Sequence, residues 1–338
     1  MTDAPRGVAF MKEYNVAVLG ATGAVGREMV KILEERKFPV KNLIPLASAR
    51  SAGTVIGFHG EDVTVREVCP TSFEGVDIVL GAAPNKLARE YAPHITAAGA
   101  VFVDNSSAFR MDADVPLVIP EINGIISNPN CSTIVTLVAV NAIGKLSPIK
   151  AMTVSTYQAV SGAGAGGPVE LEAEIAAISA GERYEPSVFP YQIAYNLIPQ
   201  IGDFLENGYT AEEMKMQNEG RKILHLPKLR VGCTCVRVPV VRSHSISVSL
   251  MTERQVSPDE ARAAVAAAPG CRLVDDPAGK KYPMPLDTSD QDLVYVGRIR
   301  QDIANENGLS LWCCGDQVRK GAATNAVQIA QLLISKDQ

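Results

Sequence analysis

The sequence predicts a two-domain α/β protein, with a Rossmann-like parallel sheet near the N-terminus and an α+β region built on a mixed sheet behind it. Three observations carry this. Short apolar runs alternate with amphipathic segments over the first 130 residues, the pattern of parallel strands joined by helices. A glycine turn, Gly20-Ala21-Thr22-Gly23-Ala24-Val25-Gly26, links the first run to the first amphipathic segment. Beyond about residue 145 the texture changes to longer β-rich stretches, and 338 residues are ample for two cores.

Taken in order, Asn15–Gly20 reads as a buried strand and Ala24–Arg36 as a helix with Val25, Met29, Ile32 and Leu33 on one face. Further strands fall at Leu43–Ala47, Val76–Ala82, Ala100–Asp104 and Leu117–Ile119, with a helix from about Asn85 to Ala98. Ser127-Asn128-Pro129-Asn130-Cys131-Ser132-Thr133 is a polar, Pro-broken turn, and the apolar run behind it predicts a helix from Cys131 to about Lys145. Ala151–Val160, Val231–Val241 and Ser245–Met251 read as strands. In the last of these Ser245, Ser247 and Ser249 alternate with Ile246, Val248 and Leu250, which indicates an antiparallel sheet with one solvated or interfacial face. Ala211–Leu224 reads as a helix and Gly162–Gly167 as a loop. The final helix, roughly Arg319–Ser335, has to return to the first domain if it is to contact a cofactor. Residues before about 13 read as a loose tail.

Composition narrows the function classes. Apolar content of 46% and charged content of 20% describe an ordinary soluble protein. With 32 basic and 37 acidic residues the net charge is −5, so no basic field invites nucleic acid or an anionic membrane. No apolar stretch approaches the ~20 residues of a membrane span, and no h-region marks a secretory signal. Seven cysteines (69, 131, 233, 235, 271, 313 and 314) are an odd number in a chain too long to need staples, which fits a reducing cytosol. Cys233-Thr234-Cys235 and Cys313-Cys314 lack the Cys-x2-Cys spacing of zinc sites, so no metal is expected.

The residues that carry chemistry fall in a suggestive order. The glycine turn follows a strand and opens a helix, where glycine lets the backbone approach a pyrophosphate at the helix N-terminus. Its spacing departs from G-x-G-x-x-G, and a tight strand–helix turn would also use glycine. The second strand ends in Ala47-Ser48-Ala49-Arg50-Ser51 with no acidic residue to hold a ribose hydroxyl. An arginine between two hydroxyls suits a 2′-phosphate, favouring NADP over NAD. Cys131 at a helix start feels unpaired backbone N–H groups and the positive end of the dipole, which favour a thiolate. On its own it reads more readily as a small buried hydrophobe capping a core helix. Arg110 ends a strand-edge segment, Asp104 to Arg110, and alone could be a surface ion pair. Gln158 precedes a loop, Ser161-Gly162-Ala163-Gly164, suited to closing over a ligand. Glu219 and Lys222 share a helix face, the usual spacing of a solvated salt bridge. Arg237 and His244 flank Pro239 and a turn, and a lone histidine is more often structural.

Together these residues resemble the aspartate-β-semialdehyde dehydrogenase family, over nearly the whole chain. The shared stretches are Gly20–Gly26, Leu46–Gly53 (LASARSAG), Asp104–Arg110, Ser127–Thr133, Tyr157–Gly164 (YQAVSGAG), Asn218–Ile223, Arg237–His244 and Gly315–Gln328. The Asn-Glu-x-x-Lys at residues 218–222 is similar to the bacterial branch. The resemblance implies a Rossmann-like NADP-binding domain (13–131 with 317–338) and an α+β catalytic and dimerisation domain with a mixed sheet (132–316). It implies NADPH-dependent reduction of β-aspartyl phosphate to aspartate semialdehyde through a Cys131 thioester, on the route to lysine, threonine and methionine. Cys131 would be the nucleophile, His244 the general acid/base with a near-neutral pKa, and Gln158 the residue that orients substrate. Arg237 would clamp the α-carboxylate and Glu219 the ammonium, while Arg110, Asn130 and Lys222 would bind phosphate. Gly20, Thr22, Gly23, Ala24 and Val25, with Ser48, Arg50 and Ser51, would hold NADP. Ser161, Gly162 and Gln317 would lie against the nicotinamide, with Asn325 a weaker candidate. A homodimer or homotetramer in the cytoplasm is expected. Two positive side chains near one site suit a departing phosphate, and Arg237 with Glu219 matches an amino-acid zwitterion. Competing readings are an N-acetyl-γ-glutamyl-phosphate reductase, whose acylated amine would leave Glu219 unmatched, and a non-catalytic NADP-binding protein.

Overall fold

The structure is a computed structural model that describes residues 12–117 and 125–335. The N-terminal half is built on a six-stranded parallel sheet. Its elements in order are β1 (Tyr14–Leu19), α1 (Ala24–Glu35), β2 (Val40–Ala47), a hairpin of β3 (Val55–Phe58) and β4 (Glu61–Thr64), and β5 (Arg66–Glu67). Then follow β6 (Ile78–Gly81), α2 (Asn85–Ala97), β7 (Val101–Asp104), β8 (Ile125–Ser127) and α3 (Cys131–Gly144). The strand order β5-β2-β1-β6-β7-β8 reverses beside β1, and ligands of open α/β sheets bind at the carboxyl edge near such a reversal. β1 is buried on both faces because helices cover both sides, so it reads as a near-continuous apolar run.

The second half carries β9 (Ile149–Gln158), α4 (Gly166–Ser179), α5 (Ala211–Ile223), β10 (Arg230–Arg237) and β11 (His244–Thr252). It continues through α6 (Pro258–Ala267), β12 (Cys271–Leu273), α7 (Pro285–Thr288), β13 (Val294–Gln301), β14 (Gly308–Gly315) and α8 (Thr324–Ser335). Its six strands run in the order β10-β9-β11-β14-β13-β12. β11 is antiparallel to both β9 and β14, whereas β10 and β12 run parallel to their neighbours, so the sheet is mixed. One face packs on α3, α5 and α6 through Val135, Val140, Met216, Val248 and Val265. The other presents Thr153, Ser247, Ser249 and Trp312, none fully buried. The serine alternation in β11 is therefore the contrast between these two faces.

α8 does return to the first sheet, where Ala326, Val327, Ala330 and Leu333 join the core of Val16, Val18, Met29 and Leu33. Arg319 fastens this return: its guanidinium reaches Glu28 and Glu35 of α1 and Asp292 ahead of β13. No helix among the described residues is long and apolar enough to cross a membrane.

Two expectations need correcting. The sixth parallel strand is Ile125–Ser127 rather than Leu117–Ile119; Leu117 makes only an isolated bridge to Ser127, and residues 118 and 119 lie outside the described residues. The Gly162–Gly167 stretch is not simply a loop. A 3₁₀ turn spans Val160–Ala163 and α4 already begins at Gly166, and Gly167 packs where a Cβ would strike the Val160 carbonyl oxygen.

Candidate active site

The site forms where α3 points its N-terminus at one edge of the second sheet. Arg237 closes β10, Gln158 closes β9 and His244 opens β11, and pairing brings Arg237 and Gln158 into register. Local chemistry starts α3 at Cys131. Asn130 Oδ1 accepts from the Ser132 and Thr133 amides at 3.1 and 3.3 Å, a side-chain cap. The helix behind is buried nearly all round, so the thiol sits on a rigid mount. Gly321, within a π-helical turn spanning Arg319–Ala323, lies against it: an added Cβ would come within 3.0 Å of Cys131 Cβ. Such turns often mark functional places.

Cys131 Sγ lies 3.4 Å from His244 Nε2. On the far side of the ring Nδ1 accepts the Ala159 amide proton at 3.1 Å. A ring nitrogen that accepts carries no proton, so neutral His244 holds its proton on Nε2, facing the sulfur. Burial, reinforced by the Arg237 guanidinium, pushes the imidazole down to about 3. The expected near-neutral histidine is therefore not found; the ring is neutral and placed as a hydrogen-bond donor. The thiol also departs from expectation. Burial, with the Glu212 carboxylate, pushes Cys131 up to about 12 against the pull of Lys215, Arg110 and Arg237. Desolvation outweighs the helix N-terminus here.

The charged residues around the sulfur are bound to one another. Arg110 Nη1 pairs with Glu219 Oε1 at 3.0 Å, and Arg110 also donates to the Asn128 and Asn105 carbonyls. Glu219 Oε2 accepts the Asn130 amide at 2.7 Å, so both carboxylate oxygens have internal partners. Lys222 donates to the carbonyls of Arg110, Asp112 and Val115, each at 2.8 Å. An ammonium has three donors, so Lys222 anchors the loop that carries Arg110, and a phosphate would have to displace one of these carbonyls. Arg237 donates to the Ala159 carbonyl at 2.7 Å and stacks over Phe189. Gly162 lies in front of it, where a Cβ would fall 2.8 Å from Nη1 and 3.1 Å from His244 Cε1. Any other residue there would push into the clamp.

A cleft of about 300 Å³ joins this cluster to the carboxyl edge of the first sheet, lined among others by Val25, Asn105, Cys131, Gly162, Gln317 and Gly321. The residues suit a dinucleotide. Gly20 turns at φ +85°, and a Cβ there would lie 2.6 Å from the Ala82 carbonyl oxygen, a position for glycine alone. Gly23 leaves α1 without a side-chain cap, and Gly23 and Ala24 are exposed, so the helix N-terminus is open to an anion. Ser48, Ala49 and Arg50 are exposed and Ser51 partly so. At the other end Gln317 donates to Ser161 Oγ and accepts from the Ser243 amide. Asn325 is turned away, onto Asn128 and Lys320.

Sequence reasoning assigned no role to Asn105, Glu212, Lys215 or Phe189. Neither polar end of the Asn105 amide finds a protein partner although both are buried, so both are free for a ligand in the cleft. Among the described residues no three His, Cys, Asp or Glu side chains gather as a metal site.

Comparison with known proteins gives a consistent result. Two family models match: semialdehyde dehydrogenase, NAD binding domain, over residues 15–126, and semialdehyde dehydrogenase, dimerisation domain, over residues 141–320. The aspartate-semialdehyde dehydrogenase of Aquifex aeolicus (strain VF5) is 49% identical over 335 residues, spanning 96% of this chain and 98% of its own. That of Bacillus subtilis (strain 168) is 48% identical, spanning 94% and 97%. Among solved structures, aspartate semialdehyde dehydrogenase II from Vibrio cholerae, complexed with ASA, superposes with a TM-score of 0.93 at 43% identity, covering 96% of this chain and 99% of that one.

Proposed function

The chain belongs to the aspartate-semialdehyde dehydrogenase family, and from that premise we propose that it makes L-aspartate-β-semialdehyde from L-β-aspartyl phosphate, reversibly and with NADPH, through a thioester on Cys131. The observation that carries the thioester is the 3.4 Å meeting of Cys131 Sγ with His244 Nε2, on the cleft that the glycine turn shares.

The sulfur attacks the acyl carbon, the bond from that carbon to the phosphate oxygen breaks, and the thiol proton leaves on the phosphate. The proton balance closes without His244 being charged. Its Nε2–H instead donates to the sulfur as negative charge builds or departs there. When bound, NADPH supplies the hydride that reduces the thioester. The hemithioacetal oxyanion then collapses to the aldehyde, and the expelled thiolate, again facing Nε2–H, regains a proton from water. A thiolate suits both halves, being a good nucleophile and a good leaving group.

Arg237 would capture the α-carboxylate through a bidentate fork, and Gln158 would orient the substrate. Glu219, with both carboxylate oxygens held by Arg110 and the Asn130 amide, would reach the ammonium only by giving up one of those partners. Arg110 and Asn130, which line the cleft, would supply the phosphate end, and Lys222 would join them only by releasing one of its three carbonyls. Gly20, Thr22, Gly23, Ala24 and Val25 would hold the pyrophosphate, Ser48, Arg50 and Ser51 the 2′-phosphate, and Ser161, Gly162 and Gln317 the nicotinamide. Residues 13–131 with 317–338 would form the cofactor domain, and 132–316 the catalytic domain that builds a homodimer. The product would feed lysine (by way of diaminopimelate), threonine and methionine synthesis in the cytoplasm.

The test is NADP+ reduction with L-aspartate-β-semialdehyde, with and without phosphate, beside Cys131→Ala. Phosphate-dependent turnover that disappears in the variant, with NADP+ binding retained, is the expected result. Turnover surviving in Cys131→Ala would rule the thioester out, and activity only on N-acetylglutamate semialdehyde would move the enzyme to the related reductase.

A further inference from the structure

Two turns flank the Cys131 sulfur, the one that leads into His244 and the π-helical one that carries Gly321. They are joined to each other by Arg242 and Asp316, neither of which lines the cleft. β11 and β14 are antiparallel, and the rung at this end of their ladder pairs His244 with Gly315. Past that rung Arg242 Nε donates to Asp316 Oδ2 at 2.7 Å, so an ion pair closes the end of the ladder. The Asp316 side chain is fully buried and both of its oxygens are used. Oδ1 accepts the Val318 and Arg319 amides at 2.8 and 3.0 Å, and the Asp316 carbonyl accepts the Gly321 amide at 2.9 Å. Oδ2 takes the Asp290 amide as well as Arg242. One carboxylate therefore fastens the turn that lays Gly321 against Cys131 and, through Arg242, the turn that delivers His244.

The His244 turn needs that fastening. Ser243 sits at φ +74°, a left-handed conformation that residues with a Cβ adopt rarely, one residue before the ring that meets the sulfur. Its own side holds it through two contacts: the amide donates to Gln317 Oε1 at 2.8 Å, and the hydroxyl lies 3.2 Å from that of Ser289. Arg242 also reaches Asp290 at 2.9 Å and Glu28 of α1 at 3.6 Å. Asp290 is 59% exposed, so that pair contributes little, and the Glu28 contact is too long for a hydrogen bond. Asp316 is the partner that decides. We propose that Arg242 is a positioning residue for the reaction: its bond to Asp316 holds Ser243 left-handed and so keeps His244 Nε2 on the Cys131 sulfur. The inference rests on Cys131 and His244 being the reacting pair.

The experiment is steady-state NADP+ reduction with L-aspartate-β-semialdehyde and phosphate, by the full-length enzyme carrying Arg242→Ala, Ser243→Gly or both. Released from Asp316, Ser243 relaxes toward negative φ and carries the ring off the sulfur. Arg242→Ala is therefore expected to lose about tenfold in kcat, with each KM within about twofold of the parent. Glycine holds a positive φ without a clamp, so the double variant should return to the kcat of Ser243→Gly alone. A merely structural role, in which a stranded Asp316 loosens the fold, would lower stability with serine or glycine at 243 and give no such rescue. Equal kcat losses in the two backgrounds, or a raised KM at unchanged kcat, overturn the proposal. If Arg242→Ala fails to fold, Arg242→Lys takes its place, since lysine keeps a cation beside Asp316 but puts a methylene where Nε stood. An unchanged kcat in Arg242→Lys is enough to reject the proposal, and a loss cancelled by Ser243→Gly supports it. A Cys131→Ala enzyme that keeps its turnover would instead reject the reacting pair itself, whatever Arg242 does.

Discussion

The two walls of the cleft are built on opposite plans. On the substrate wall nearly every charged group already has a protein partner, Arg110 with Glu219, Lys222 with three carbonyls and Glu212 with Lys215, and the neutral His244 ring is held by a backbone amide. On the cofactor wall the backbone stands open, with a glycine turn, an uncapped helix N-terminus and exposed side chains at Ser48 and Arg50. The difference teaches how each wall meets its ligand. Buried charges must be paired to be tolerated at all, and prepaired groups need no reorganisation when charge develops on the substrate. A cofactor that binds and leaves needs contacts that water can fill in its absence, which exposed groups and helix ends provide.

The contrast predicts where a single truncation harms the fold. Arg110→Ala leaves the buried Glu219 carboxylate without its 3.0 Å guanidinium partner. The expected loss is about 3–5 kcal/mol of unfolding free energy, together with loss of turnover. Replacing both partners with apolar residues of similar size, Arg110→Met with Glu219→Leu, should recover most of the stability and none of the activity. Urea unfolding reads this, and a loss below about 1 kcal/mol for Arg110→Ala would place the pair with ordinary surface bridges.

His244 sharpens the same point through pH. Its value falls from 6.5 in the unfolded chain to about 3 in the folded one. The unfolded state therefore binds the proton first as pH drops below 6.5, and folding is penalised from there downward. Between pH 7.5 and 5 this amounts to about 2 kcal/mol. The window lies above the range in which Glu212 and Asp292, both held low, take up protons. His244→Asn should flatten unfolding free energy over that interval. Equal slopes in variant and parent would mean that the imidazole is protonated in the folded protein after all.

What could be read from sequence divides along the same line as the two walls. The glycine turn, the strand and helix alternation, and the Cys131 helix are local patterns, and the structure reproduces them within about three residues, apart from the strand expected at Leu117–Ile119. The gathering of Arg237, Gln158 and His244 could be suspected only from their order, since strand pairing across the second sheet is what aligns their ends. Partner choice was not legible. Nothing in Asn-Glu-x-x-Lys says that Lys222 will spend its donors on backbone carbonyls, or that Glu219 will face Arg110. Glu212 was the nearest miss, because its two-turn spacing from Glu219 was visible although its burial was not. The pKa expectations for Cys131 and His244 failed for one reason: both weighed nearby dipoles and ordinary values, and burial outweighed them.

Arg50 tests the open wall and should have the smallest effect. It is exposed on a 3₁₀ turn spanning Ala49–Ser51 at the carboxyl end of β2, so its removal exposes no core and strands no partner. Unfolding free energy should change by less than about 0.5 kcal/mol in Arg50→Ala. A phosphate contact from an exposed guanidinium is worth about one charge-assisted hydrogen bond, so KM for NADP should rise about tenfold and KM for NAD hardly at all. If both rise together, Arg50 holds the adenosine end in general and does not select the 2′-phosphate. If neither rises, the phosphate is read by Ser48 and Ser51, whose hydroxyls and amides flank the same turn. Either result leaves the comparison of walls intact, because it turns on which groups are free and not on which of the free groups the cofactor uses.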